Sequence, residues 1–147
     1  MFLRRFNGLQ RIIPALIKRI TTDVTDNNNM NTTNKKLLYE EESFKLRGLF
    51  MKIYNTLGPG LKENIYGNAF EQLLAKERIP HKREPTLPVI FEGRNVGTYR
   101  PDFLVYGKII IEFKSQAQIP KAEMQRVYQY LKSSGRKLGF VVNFGAP

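Results

Sequence analysis

The stretch Pro101-Asp102-Phe103-Leu104-Val105-Tyr106-Gly107-Lys108-Ile109-Ile110-Ile111-Glu112-Phe113-Lys114 constrains the chain more than any other. Two apolar runs flank a glycine, which reads as two strands joined by a tight turn. Side chains on a strand alternate between faces, so Glu112 and Lys114 share one. If the turn occupies Tyr106, Gly107 and Lys108, Val105 pairs with Ile109 and Asp102 lies opposite Glu112. A two-residue turn would shift the register and send Asp102 to the other face. That other face carries Phe103, Val105, Ile109, Ile111 and Phe113, while Leu104 and Ile110 make the first face apolar as well. Strands apolar on both sides need cover on both sides, which favours a sheet between helical layers.

The surrounding sequence supplies such layers. Leu46, Leu49, Phe50, Ile53, Tyr54 and Leu57 recur at helical spacing until Gly58-Pro59-Gly60 stops the helix. A second helix spans roughly Lys62 to Arg78, with Tyr66, Phe70, Leu73 and Leu74 as its stripe. Strands follow at Leu87–Phe91, Val96–Arg100, Asp102–Val105 and Ile109–Lys114. A helix from Pro120 to Gly135 is built on Met124, Val127, Tyr128 and Leu131, and Leu138–Phe144 is a last strand. The element order is α-α-β-β-β-β-α-β, in one domain over residues 36–147.

Two segments precede that domain. Over residues 1–20 a helical wheel gathers Phe2, Phe6, Leu9, Ile13, Leu16, Ile17 and Ile20 on one face and Arg4, Arg5, Arg11, Lys18 and Arg19 on the other. The pattern predicts a basic amphipathic leader helix, weakened by Pro14. Arg11, Lys18 and Arg19 interrupt any run long enough for a secretory signal or a spanning helix. A transit peptide or a surface-lying membrane anchor has this character, as does a helix packed on the domain. The expected location is intracellular, in the cytoplasm or, with a transit peptide, the mitochondrial matrix. Residues 21–35, rich in Asn and Thr, read as a flexible linker.

Composition narrows the chemistry. The 147 residues include 24 Lys and Arg against 13 Asp and Glu, a net charge of +11 that favours a polyanionic partner. Cysteine is absent and His81 is the single histidine, so thiolate nucleophiles and multi-histidine or cysteine metal sites are excluded within one chain. Chemistry here would rest on carboxylates and lysines, most naturally around a hard cation with oxygen ligands. Asp102 and Glu112, partly buried and mutually repelling, need such a cation or the nearby Lys114. Glu63 precedes Tyr66 by three residues and Phe70 by seven, on the buried stripe of its helix. It reads either as a third acid of a metal site or, with Gly60 as cap, as a helix-stabilising residue at N3.

Pro101-Asp102, nine intervening residues and Glu112-Phe113-Lys114 resemble the PD-(D/E)xK nuclease motif. Leu57-Gly58-Pro59-Gly60-Leu61-Lys62-Glu63-Asn64-Ile65-Tyr66 resembles the opening of the GxxExxY family of that superfamily, and Tyr99–Leu104 and Leu138–Gly145 also fit it. The resemblance runs from about Leu37 to the end. It implies a three-layer α/β core with a central mixed sheet of four or five strands. It also implies Mg2+ (or Mn2+) bound by Asp102, Glu112 and Glu63, with Lys114 activating the attacking water. Hydrolysis of phosphodiester bonds needs a positioned nucleophile and neutralised phosphate charge, which Mg2+ and Lys supply without histidine. Two departures stand out. Many active relatives carry Gln and Tyr one turn apart on the following helix, but here Arg126 stands four residues before Tyr130, and Gln125 is offset. Similar proteins also continue into another strand beyond Ala146-Pro147.

The implied function is metal-dependent cleavage of nucleic acid, DNA above all. The alternative is a catalytically inactive nucleic-acid-binding module on the same fold, and a third reading gives the leader a peripheral membrane or import-machinery contact. Arg100, Lys121, Arg126 and Lys132 are candidates for phosphate contact. Arg100 equally suits an ion pair with Asp102 or Glu112, and the basic residues of the last helix equally suit a solvated face. Tyr66 orients Glu63 or water, or is a core aromatic with a satisfied hydroxyl. His81 reads as solvated in a basic loop.

Overall fold

The computed structural model describes residues 16–22 and 38–145. A five-stranded sheet in the order β1-β7-β6-β5-β2 forms its middle layer. The strands are β1 (Ile17–Thr21), β2 (His81–Arg83), β5 (Phe103–Val105), β6 (Ile109–Lys114) and β7 (Leu138–Asn143). Neighbours are antiparallel except β6 and β7, which run parallel and are joined by helix α3 (Lys121–Ser134). A parallel pair needs a long crossover, and α3 supplies it. Helices α1 (Glu40–Leu57) and α2 (Glu63–Lys76) precede β2. The remaining strands, β3 (Leu87–Phe91) and β4 (Arg94–Tyr99), pair only with each other.

The two-sided apolar pattern has its expected consequence. On one face Phe103, Val105, Ile109, Ile111, Phe113, Phe140 and Val142 pack with Leu46, Phe50, Ile53, Phe70 and Leu74 of α1 and α2. On the other, Leu104, Ile110 and Val141 pack with Val127 and Leu131 of α3 and with Leu87 of β3. The result is the three-layer α/β arrangement anticipated from the sequence. One detail differs: the β3–β4 pair stands apart from the central sheet, and β2, which the sequence reading placed in a loop, takes the sheet edge beside β5. His81 is therefore in a strand, with Nδ1 2.9 Å from the Ile79 carbonyl.

The larger correction concerns the leader. Ile17–Thr21, assigned above to the end of an amphipathic helix and the start of a linker, is a strand paired antiparallel with β7, Ile17 against Val142 and Thr21 against Leu138. Leu16, Ile17 and Thr21 are buried. Ile17 joins the α1/α2 side of the core and Ile20 packs on the α3 side. Thr22 extends the attachment, its N–H donating to the Lys137 carbonyl at 3.1 Å and its hydroxyl to the Arg136 carbonyl at 3.2 Å. The physical reason is the edge of β7: an uncovered row of backbone donors and acceptors beside an apolar surface recruits a strand. The segment is thereby committed to the sheet and not available as the surface helix expected there. The rest of the predicted leader, residues 1–15, and most of the predicted linker, 23–35, lie outside the described residues. No helix among the described residues is long and apolar enough to cross a membrane.

Ile17→Ala is expected to destabilise the full chain by about 2–5 kcal/mol, the range for truncating a buried aliphatic side chain. Urea denaturation of the two proteins measures this. A midpoint unchanged by the substitution would mean that the segment is not part of the folded core.

Candidate active site

The β5–β6 hairpin decides where the acids go. Tyr106 (φ 55°) and Gly107 (φ 69°) both adopt left-handed backbone, and the Lys108 N–H donates to the Val105 carbonyl at 3.1 Å. Val105 pairs with Ile109 and Phe103 with Ile111, so the three-residue turn is the one formed. One step further, Asp102 stands opposite Glu112. Its Oδ2 accepts the Phe113 N–H at 2.6 Å, which pins the Asp102 carboxylate to the strand that carries Glu112. The two carboxyl groups are close enough for each to act on the other's charge, the convergence anticipated for this register.

Neighbouring elements close a cleft of about 300 Å3 around Glu112 and Lys114, whose walls are Thr98, Tyr99 and Arg100 from the end of β4 and Glu123, Arg126 and Tyr130 from α3. The α3 residues fall at i, i+3 and i+7, one face of the helix. Lys114 Nζ lies 3.3 Å from Glu123 Oε2. The Tyr99 hydroxyl donates to Glu112 Oε1 at 2.5 Å, and its ring stacks on Tyr130 with centroids 3.8 Å apart.

Burial, and then the charge of Asp102, push the Glu112 carboxyl up to about 7. Burial also raises Asp102, opposed by the Phe113 N–H and the Lys114 charge. Tyr99 is held protonated by burial and by the Glu112 charge. Each carboxyl of the pair therefore binds a proton more tightly than it would alone in water, as expected of carboxyl groups forced together in a partly buried site. The same pair, all oxygen and beside a cleft, suits a hard divalent cation that retains water in its other positions.

Glu63 does not join them. It is exposed and is the first residue of α2, with Lys62 in the cap position, not the third residue of a helix capped by Gly60. It lines a second pocket, of about 210 Å3, with Asn64, Gly67, Arg83, Glu84, Asp102, Phe103 and Phe113. Among the described residues no three acids or histidines are gathered as a metal-binding group. Asp102 lines that pocket with Glu63 and stands opposite Glu112 in the hairpin.

The loops beside the cleft are tightly fixed. The Tyr66 hydroxyl donates to the Gly58 carbonyl at 2.7 Å and accepts the Leu61 N–H at 2.9 Å, while its ring stacks on Phe144 at 4.1 Å. Ser115 Oγ donates to the Leu61 carbonyl at 2.5 Å. Buried Asn143 brackets Gln116, donating to its carbonyl at 2.8 Å and accepting its N–H at 3.1 Å. Gly145 presses so close that a Cβ there would overlap the Gln116 backbone nitrogen. Tyr66 is thus a core aromatic with a satisfied hydroxyl, one of the two roles considered for it.

The basic candidates separate. Arg126 and Arg100 reach the cleft, but Arg100 pairs with Glu84, at 3.7 Å, not with Asp102 or Glu112. Lys121, Gln125 and Lys132 are exposed on α3 and do not line the cleft. Sequence reasoning missed Tyr99, Glu123 and Tyr130. Arg126 and Tyr130 stand one turn apart on the helix that follows Lys114, and that spacing was the available signal.

Residues 40–147 match the PD-(D/E)XK nuclease superfamily. The chain belongs to that superfamily. Comparison with curated proteins and with solved structures finds no match. Members of the superfamily generally use divalent metals and act on nucleic acid.

The Glu112 shift has a measurable sign. A carboxyl whose folded value is raised binds its proton more tightly in the folded state, so stability falls as pH rises through the window between about 4.5 and about 7. The metal-free protein is expected to lose thermal stability across that window, and Glu112→Gln to flatten the slope. Melting curves at successive pH values test it; equal slopes in the two proteins would contradict the assignment.

Proposed function

We propose that this protein is a metal-dependent nuclease of the GxxExxY group that hydrolyses phosphodiester bonds of DNA. The observation that carries the reading is the pairing of Asp102 with Glu112 across the β5–β6 hairpin, with Lys114 on the same face and a cleft opening onto Glu112 and Lys114. The Gly60-x-x-Glu63-x-x-Tyr66 spacing supports the narrower group, because Tyr66 is the residue that ties down the loop leading into α2.

In this reading Asp102 and Glu112 would hold one Mg2+ or Mn2+, and a bound ion would supply neutralisation of the charge that builds on the phosphate. Glu112 is oriented by the Tyr99 phenol and Asp102 by the Phe113 N–H, so both carboxylates are aimed before substrate arrives. Lys114 presents its ammonium to the cleft, where it positions the attacking water and the phosphate oxygens. Glu123 holds that ammonium in place. Arg126, on the opposite wall, adds a guanidinium suited to phosphate oxygens. The groups that serve positioning and charge stabilisation are thus carried by β6, the residue before β5, the end of β4 and one face of α3.

A second reading, a binding module without turnover, is favoured by one observation: Glu123 already pairs with Lys114. The two readings part in one assay. Purified protein is expected to cut duplex DNA only with Mg2+ or Mn2+ present. Asp102→Asn, Glu112→Gln and Lys114→Ala should each lower the rate by on the order of 10²-fold or more. Salt-sensitive binding without cleavage in either metal would establish the module instead. Activity unchanged in Asp102→Asn would defeat the site assignment, and a parallel duplex RNA substrate tests the choice of DNA.

A further inference from the structure

The β3–β4 pair is a two-stranded ribbon whose root is built into the cleft and whose tip is bare. At the root, Leu87 is buried against α3, and Thr98, Tyr99 and Arg100 form a cleft wall. The stack of Tyr99 on Tyr130 and its hydrogen bond to Glu112 fix the ribbon to the candidate metal ligand. At the tip, Phe91 pairs with Arg94 across a turn made by Glu92 (φ 47°) and Gly93 (φ 78°). Phe91 is 64% exposed and Val96 62% exposed. An isolated two-stranded ribbon is marginal in water, and large apolar side chains at its end do nothing for its own packing.

Register connects the two ends. Leu87 faces Tyr99, and Phe91 faces Arg94. Along β3 the face of Leu87 continues through Val89 to Phe91. The face that begins at Tyr99 over Glu112 therefore ends at Phe91 and Arg94. The pairing shifts between Val89 and Ile90, and a bulge of this kind sharpens the ribbon's twist. At about 3.3 Å per residue, the tip lies roughly 15 Å from Tyr99.

We propose that this ribbon is a substrate arm that lies in a groove of double-stranded DNA, with Phe91 and Arg94 gripping the duplex about four or five base pairs from the bond addressed by the cleft. The inference deepens the nuclease reading and rests on it for the position of that bond. Continuity with the cleft is the first support, because a duplex with a phosphate at Glu112 and Lys114 passes the strand that ends in Tyr99. Shape is the second: the major groove admits a two-stranded ribbon. Chemistry is the third, since an apolar wedge beside an arginine suits base edges and phosphates at once.

The test measures binding of a 30-base-pair duplex and a 30-nucleotide single strand in Ca2+, alongside cleavage of the duplex in Mg2+. Phe91→Ser combined with Arg94→Ser should weaken duplex binding by about tenfold or more and lower the salt dependence by about one phosphate contact. Arg94→Glu, which leaves the apolar tip intact, should also weaken it. Duplex affinity unchanged in these variants overturns the arm, whether or not the wild type cuts. Loss confined to the single strand overturns the choice of duplex. Arm-dependent duplex binding without metal-dependent cutting sustains the arm and defeats the nuclease reading.

Discussion

The hydrogen bond from the Phe113 N–H to the Asp102 carboxylate is the interaction on which the site depends. It spans the β5–β6 hairpin and forms only in the register that pairs Val105 with Ile109. A slip of one residue would turn Asp102 toward the apolar α1/α2 core and would carry Phe103 out of it. The buried aromatic cluster of Phe50, Phe70, Phe103 and Phe113 opposes such a slip from below the sheet. The energy that fixes the acids thus comes mainly from apolar packing on the far face. The hydrogen bond then aims one carboxylate.

That coupling explains what was legible in the sequence. The apolar runs around Gly107 and the alternation of Phe103, Val105, Ile109, Ile111 and Phe113 carry strand, turn and face together, because each is a local consequence of side-chain period. The pairing of Asp102 with Glu112 follows once the turn length is settled. The left-handed backbone at Tyr106 and Gly107 settles it. The β1 strand was not legible by the same route. Leu16, Ile17 and Ile20 satisfy a helical stripe, while Ile17, Arg19 and Thr21 alternate only weakly. Competition between the two patterns is decided by the open edge of β7, more than a hundred residues away in the chain. The helix expected there lost to a row of backbone hydrogen bonds that no local window contains.

Glu63 shows the same limit in another form. Its spacing from Tyr66 and Phe70 is that of the buried stripe, and both of those residues are fully buried. Periodicity, however, describes a helix as if it were covered along its whole length. At the first residue of α2 the cover has ended, and the side chain is exposed beside a pocket instead of being enclosed with Asp102 and Glu112. Tyr99, Glu123 and Tyr130 are the converse case. Each looks unremarkable in its own segment, and only the meeting of β4 with α3 over β6 brings a phenol, a second acid and a stacking ring to Glu112 and Lys114.

Charge in this cleft is arranged in opposition. Glu112 is repelled by Asp102, steadied by Tyr99 and attracted by Lys114 and Arg126, while Lys114 is shared with Glu123. Removing any one partner leaves a partly buried charge less compensated than before, so the groups act as one unit and not as separate contributors. The unit sits at the ends of strands, where the loops tied by Tyr66 and Asn143 leave little freedom. Rigidity of that kind has a use in hydrolysis at a phosphate. Dipoles and charges already in position need no reorganisation when negative charge builds. Two mutually repelling acids are thus held side by side, and the apolar packing beneath the sheet is what sustains that placement.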